Sequence, residues 1–89
     1  MNNKLRKRLS EAVGVLRNIE SSFEKAKVIT DGVYDSASDS LENYPENLQS
    51  SEAYEKMEDD CDSLDEIRDK IDEALESVEE IIHETEKLI

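Results

Sequence analysis

The 89-residue sequence has no tryptophan, two glycines, one proline and one cysteine. It has no run of Val, Ile, Leu, Met or Phe longer than two residues, whereas a membrane-spanning helix needs about 20 consecutive apolar residues. A single cysteine excludes a disulfide-rich scaffold. Positive charge is also scarce, with 11 Lys and Arg against 24 Asp and Glu and a net charge of −13. The chain therefore lacks the positive surface that unaided binding to nucleic acid requires.

The basic residues near the N-terminus are not followed by a signal-peptide core. Residues 4–8 contain four Lys and Arg, but Leu9–Ile19 is interrupted by Ser10, Glu11 and other polar residues, so it provides no apolar h-region. Together with the lone Cys61, which fits a reducing compartment, this predicts a cytoplasmic protein.

The first half of the chain has apolar residues at alternating spacings of three and four, as in a heptad repeat. Gly32 lies inside this pattern, and we expect the helix to run through it because the pattern resumes at Val33. The predicted seam consists of Leu5, Leu9, Ala12, Leu16, Ile19, Phe23, Ala26, Thr30, Val33, Ala37 and Leu41.

The second half repeats the pattern, with charged residues on the other faces. Asp60 and Thr85 are its only polar members. The predicted seam consists of Ala53, Met57, Asp60, Leu64, Ile67, Ile71, Ala74, Val78, Ile81, Thr85 and Leu88.

A short connection around Pro45 separates the two halves. Pro45 disfavours helix at the residue before it, residues 45–49 can form a turn of their own, and Ser50 or Ser51 can cap the next helix. Short connections make helices antiparallel neighbours. The sequence therefore predicts an all-α, antiparallel two-helix hairpin, with helices over about 3–42 and 52–88 and a turn at 43–51.

Folding the chain at Pro45 predicts a specific register. It places Leu16 opposite Val78 and Phe23 opposite Ile71, and it puts Asp60 in the seam opposite Val33. In the same register, the basic residues Arg6, Lys7 and Arg8 lie near Glu79, Glu80, Glu84 and Glu86.

A second apolar stripe flanks the predicted seam of the second helix, with members seven residues apart. A two-helix hairpin covers one narrow face of each helix, so these positions indicate another partner. We expect a homodimer in which two hairpins form a four-helix bundle, with an oligomer interface at Leu75, Ile82 and Ile89.

Acidic residues concentrate near the turn and along the second helix. Residues 52–86 have 16 acidic and three basic side chains, or one net charge per ~4 Å of helix, approaching the 3.4 Å spacing of one DNA strand. Two interpretations remain open: a solvated face that maintains solubility, or imitation of nucleic acid. The expected partner-binding residues are Glu52, Glu55, Glu58, Asp59, Asp62, Asp65, Glu66 and Asp69, with Tyr44 and Tyr54 as aromatic anchors.

Motifs for catalysis or metal binding are weak. Glu80 and His83 have Glu-x-x-His spacing, but they point away from the predicted seam. The acidic stretch 59–65 lacks the glycine of a calcium loop. No nucleophile stands beside a base, and no glycine-rich phosphate loop is present. We expect a non-enzymatic protein with no catalytic residues, metal or cofactor.

The segment around the turn, from Tyr34-Asp35 through Pro45-Glu46-Asn47-Leu48-Gln49 to Met57-Glu58, resembles a family of proteins. These are short, acidic, uncharacterised proteins encoded by bacteriophages and bacterial mobile elements, with a Pro-Glu-(Ser/Asn)-Leu-Gln turn followed by a Met-Glu pair. The resemblance covers about residues 34–80 and implies a helical hairpin of phage or mobile-element origin. It implies no catalytic or binding residues.

Two functions fit these features. The first is an inhibitor that mimics nucleic acid and blocks a basic nucleic-acid-binding site of a host enzyme or defence complex. The second is a structural coiled-coil adaptor or assembly module, whose acidic face serves only for solvation.

Overall fold

The computed structural model describes all residues, Met1–Ile89, and begins with a single long helix. This helix, α1, covers Asn3–Glu42, and the side chain of Asn2 caps it by accepting the Leu5 amide N–H at 2.9 Å. It runs through Gly32 without a positive φ angle, as expected from the resumption of the apolar pattern.

The connection to the second helix is a short turn with its own 3-10 helix at Glu46–Leu48. The second helix, α2, covers Glu52–Glu86. Ser51 caps it by accepting the Tyr54 amide N–H at 3.2 Å. Glu52 and Glu55 lie in its first turn, where the positive end of the helix dipole favours them.

The two helices pack against each other as an antiparallel hairpin, which confirms the predicted all-α hairpin. The molecule is a rod of 70 × 15 × 14 Å. Only Val13, Cys61 and Ile82 are buried, because two helices form one seam and no second layer covers it. Neither helix has an apolar stretch long enough to span a bilayer.

More than half of the predicted seam is correct. The predicted positions that the other helix covers are Leu9, Leu16, Phe23, Ala26, Thr30, Ala37 and Leu41 on α1, and Met57, Leu64, Ile71, Ala74, Val78 and Thr85 on α2.

Most of the remaining predicted seam is replaced by the residue that follows it in the sequence. Instead of Ile19 and Ile81, for example, the following residues Glu20 and Ile82 are covered. The substituted positions are Val13, Glu20 and Tyr34 on α1, and Tyr54, Cys61, Arg68 and Ile82 on α2, while Lys27 and Leu75 are covered in addition to the predicted Ala26 and Ala74.

Asp60 shows one physical reason for this rotation. The predicted seam would have buried its carboxylate opposite Val33, and an unpaired buried charge costs several kcal/mol. In the structure Asp60 is exposed and accepts a hydrogen bond from Lys56 Nζ at 2.5 Å. The predicted contact between Val33 and Asp60 is therefore wrong.

The register is also shifted, and ion pairs between the helices show by how much. Lys27 Nζ lies 2.6 Å from Asp72 Oδ1, and Arg68 Nε lies 2.8 Å from Asp31 Oδ1. The predicted register placed Lys27 near Glu66, more than one helical turn away. These ion pairs form only in the observed register.

The register shift separates the basic N-terminus from the acidic residues predicted to lie beside it. Glu86 pairs with Arg17 at 2.7 Å, and Glu84 pairs with Lys87. None of Arg6, Lys7 and Arg8 forms an ion pair, so their predicted pairing with Glu79, Glu80, Glu84 and Glu86 is wrong.

The structure also corrects the predicted oligomer residues. Ile82 is only 4% exposed and Leu75 is half-buried, because both lie in the seam between α1 and α2. Of the three, Ile89 alone is exposed.

We expect Ile82→Ala to destabilise the hairpin by about 2 kcal/mol or more, because it removes buried methyl groups and leaves a cavity. Urea unfolding followed by circular dichroism measures this. Val28→Ala is the matched control, since Val28 is 72% exposed, and its midpoint should stay near that of the unmodified protein. Equal effects of the two substitutions would contradict the observed seam.

Candidate protein-binding surface

The eight predicted carboxylates lie together on the outer side of α2. They are spaced by three residues or by one between Glu52 and Asp69, and all are exposed. We call this surface the acidic face. It extends over about 25 Å at 1.5 Å per residue, or one charge per ~3 Å. This spacing is close to the 3.4 Å between phosphates along one DNA strand.

Almost none of this charge is neutralised within the hairpin. Among the eight residues, only Asp65 has an ion-pair partner, Arg68, at 3.5 Å. The remaining seven have no cation within ion-pairing distance, so the acidic face presents a nearly uncompensated negative field.

Arg68 connects α2 to α1 and is already engaged. Its Nε donates a hydrogen bond to Asp31 Oδ1, and its guanidinium lies 4.3 Å from the centroid of the Tyr34 ring. The hydrogen bond to Asp31 raises the pKa of Arg68. This cation therefore links the two helices, and it leaves the acidic face largely negative.

The two predicted aromatic anchors pack on each other at the turn. The ring centroids of Tyr44 and Tyr54 are 5.4 Å apart, with the planes tilted by 56°. Both side chains are half-buried. This contact joins the end of α1 to the start of α2 next to the acidic face, and the role of the tyrosines as partner anchors stays a prediction.

The hairpin has two chemically different long sides. Arg17 and Asp31 each follow a seam residue by one position, as do Asp72 and Glu86 on α2. In an antiparallel pair, equal steps from the seam on the two helices lead to the same side. All three ion pairs between the helices therefore lie on or beside one side of the rod.

The opposite side holds the residues that precede the seam positions by one, and it is apolar. Of the twelve large exposed hydrophobic residues, eight lie on this side, with 40–67% of each exposed. We define the apolar face by these eight: Leu5, Val15, Ile19, Ile29 and Val33 on α1, and Ile67, Ile81 and Leu88 on α2.

Acidic residues avoid the apolar face. Of the 16 acidic residues of α2, only Asp60 and Glu84 lie on its side of the helix. Each of these two is paired with a lysine, Asp60 with Lys56 and Glu84 with Lys87. The α2 surface therefore separates uncompensated charge from apolar area.

The apolar face was not predicted as an exposed surface, although the sequence contains a signal for it. The predicted seam inside the hairpin contains six of the eight residues, all except Val15 and Ile29. The width of the stripe, three apolar positions per heptad in place of two, is typical of helices in a larger bundle.

The structure brings no cluster of metal-binding or catalytic side chains together. No three His, Cys, Asp or Glu side chains converge as metal ligands. His83 and Glu80 are exposed, and Cys61 is a free, buried thiol in the seam. The surface depressions are open grooves, the first lined by Val15, Ile19 and Phe23 on the apolar side of α1.

No family model, curated protein or solved structure matches this chain.

We expect Arg68→Met to lower the melting temperature by several degrees, because it removes the bonds to Asp31 and Asp65 and leaves these carboxylates without their cation. Lys70→Met is the control, since it removes the same charge from the same helix but Lys70 has no ion pair. Thermal unfolding by circular dichroism compares them. Equal melting temperatures would contradict the role of Arg68 in joining the helices.

Proposed function

We propose that this protein is a non-enzymatic binding protein whose acidic face docks on a basic, nucleic-acid-binding surface of another protein. The observation that carries the proposal is the row of eight exposed carboxylates, seven of them without a cation, at a spacing close to that of phosphates in a strand. A protein groove that follows a phosphate backbone presents Lys and Arg at matching intervals.

The rod shape supports this proposal. A long helix holds its carboxylates in a fixed row, so little conformational entropy is lost when the row meets a rigid basic groove. Complementary charge also accelerates association and makes it strongly salt-dependent. Tyr44 and Tyr54, at the turn end of the row, are in position to add an aromatic contact at the partner interface.

The biological role we propose is inhibition. By occupying the groove, the hairpin would block a host enzyme or defence complex from its DNA or RNA. The resemblance of the turn region to short acidic proteins of phages and mobile elements favours this role, and the lone Cys61 favours a cytoplasmic setting.

Neutralising half of the acidic face tests the proposal. We expect Glu55→Gln, Glu58→Gln, Asp62→Asn and Asp65→Asn together to lower affinity for a basic partner by more than tenfold, because four charges facing the groove are lost. Partners are captured from nuclease-treated bacterial lysate on the immobilised hairpin. They should be nucleic-acid-binding proteins that are released by high salt and by duplex DNA.

The matched control removes the same number of charges from the far end of α2, with Glu73→Gln, Glu76→Gln, Glu79→Gln and Glu80→Gln. It should retain the captured proteins, because it leaves the acidic face intact. Equal loss in both variants, or capture that resists salt and duplex DNA, would contradict the proposal.

The apolar face favours a second candidate function, an assembly module. Under this alternative the hairpin pairs with another helical protein or with itself, and the acidic face provides only solvation. Self-association through the apolar face is also compatible with partner binding by the acidic face, since the two faces point in different directions. We propose that two hairpins pair through the apolar face into a four-helix bundle, in place of the interface at Leu75, Ile82 and Ile89 predicted from sequence.

Light scattering tests the dimer. We expect a mass twice the 10.2 kDa of the chain at micromolar concentration. Ile19→Lys should return the mass to that of the monomer without loss of helix, because a lysine in the apolar face buries an unpaired charge on association. Val28→Lys is the control, since Val28 is exposed on the other long side, and it should remain dimeric. A 10.2 kDa mass for the unmodified protein would reject the dimer.

A further inference from the structure

The end of the rod opposite the turn differs in charge from the rest of the molecule. Residues 1–8 are all exposed, since Leu9 is the first residue that α2 covers, and residues 87–89 are exposed at this same end. We call residues 1–8 and 87–89 the open end. It holds five of the 11 Lys and Arg of the chain and none of the 24 Asp and Glu. The five cations are Lys4, Arg6, Lys7, Arg8 and Lys87.

Most of these cations have no partner inside the hairpin. Lys87 pairs with Glu84 at 3.1 Å, but the four cations on α1 form no ion pair. They lie in the first two turns of α1, where successive side chains point about 100° apart, so together they surround the helix. A flat partner along one side of α1 reaches only some of them, whereas a layer that the helix end enters reaches all four.

The open end also exposes large hydrophobic side chains. Between 46% and 59% of each is exposed, and they are Met1, Leu5, Leu88 and Ile89. Arg8 lines a shallow groove together with Met1, Leu5 and Leu9, so a cation and apolar groups lie side by side. The open end therefore combines positive charge with apolar area, whereas the acidic face on α2 is separated from apolar area.

We propose that the open end binds the surface of a membrane that contains anionic phospholipids, with the rod standing end-on. The cations contact the phosphates of the headgroups, and the four apolar side chains enter the boundary between headgroups and acyl chains. Binding of amphipathic segments to membrane surfaces combines these two contributions, buried apolar area and attraction to anionic lipids. This contact goes beyond the proposed partner binding and does not depend on it, because the acidic face lies towards the turn.

The exposed apolar side chains favour a lipid surface over nucleic acid. Both partners offer phosphates to Lys and Arg, but only a membrane has an apolar layer directly beneath its phosphates. Residues 1–8 extend about 10 Å beyond the end of α2, and interfacial helices are buried to a depth of about 5–10 Å. The long stems of Lys and Arg can follow their apolar neighbours to this depth while the charged groups stay among the headgroups.

The net charge of −13 does not prevent this contact when the rod stands end-on. Asp69, the nearest member of the acidic face, lies 18 residues before Lys87, or about 27 Å along α2. Charges in water at physiological ionic strength are screened over about 8 Å. Glu84 and Glu86, at the end of α2, are paired with Lys87 and Arg17. A rod lying flat would instead hold the acidic face within its own width of 15 Å from the membrane.

Vesicle flotation tests the proposal with the full chain. The protein is mixed with vesicles of equal parts phosphatidylglycerol and phosphatidylcholine, or with vesicles of phosphatidylcholine alone, and the protein that floats with them is measured. We expect binding to the anionic vesicles to be tighter by about tenfold or more and to weaken at high salt. No binding to anionic vesicles, or equal binding to both kinds, would overturn the proposal. Release by duplex DNA would also overturn it, since the open end would then be a nucleic-acid site.

Removal of charge tests whether the contact lies at the open end. Arg6→Gln and Lys7→Gln together should weaken binding to the anionic vesicles by about tenfold or more, because two cations leave the headgroups. The matched control is Lys25→Gln with Lys70→Gln, since both lysines are exposed, lie outside the open end and form no ion pair. The control should bind like the unmodified protein. Equal loss in both variants would show that net charge alone decides binding, and it would overturn the site.

Two apolar substitutions distinguish an end-on rod from one that lies flat. Leu5 and Ile29 are both exposed members of the apolar face, but they lie about 36 Å apart along α1. Leu5→Gln should weaken vesicle binding severalfold, and Ile29→Gln should leave it unchanged. Both substitutions alter the proposed dimer interface, so a difference between them reports on the membrane contact. Equal loss in the two variants, with helix content retained, would overturn the end-on contact.

Discussion

The rotation of each helix about its own axis decides which residues this protein presents to its surroundings. Both helices have apolar residues at three positions of the heptad, and a two-stranded seam covers only two of them. The observed pairing places Tyr34, Cys61 and Ile82 inside and leaves Ile19 and Ile81 outside. Bonds from Arg68 to Asp31 and from Lys27 to Asp72 are consistent with this rotation and hold the register.

Much of the fold follows from local sequence signals. Spacings of three and four predict the helices, Pro45 predicts the break, and Ser51 predicts the cap, because each signal acts within one or two turns. The rotation of the helices and their register do not follow from such local signals. A stripe of three apolar positions can pair in more than one way, and the choice depends on ion pairs such as Arg68 with Asp31, 37 residues apart. Spacing alone does not contain that information.

The two candidate surfaces also differ in how well the sequence predicts them. The exposure of the acidic face was predictable, since carboxylates without partners stay in water, and only its concentration on one side needed the structure. The apolar face was missed, because assigning six of its eight residues to the seam is the simplest interpretation of their periodicity. Once the rotation is known, two separate faces are available for interactions. We propose that the acidic face binds a basic partner and the apolar face binds a second copy.

The reactivity of the Cys61 thiol tests the rotation of α2 most directly. Cys61 lies in the seam, whereas its neighbour Asp60 occupies the seam under the alternative rotation. The measurement is the rate of alkylation in native buffer for the unmodified protein and for Asp60→Cys in a Cys61→Ala background. The account predicts that Cys61 reacts at least tenfold more slowly than the thiol at position 60. Equal rates, or faster reaction of Cys61, would contradict it.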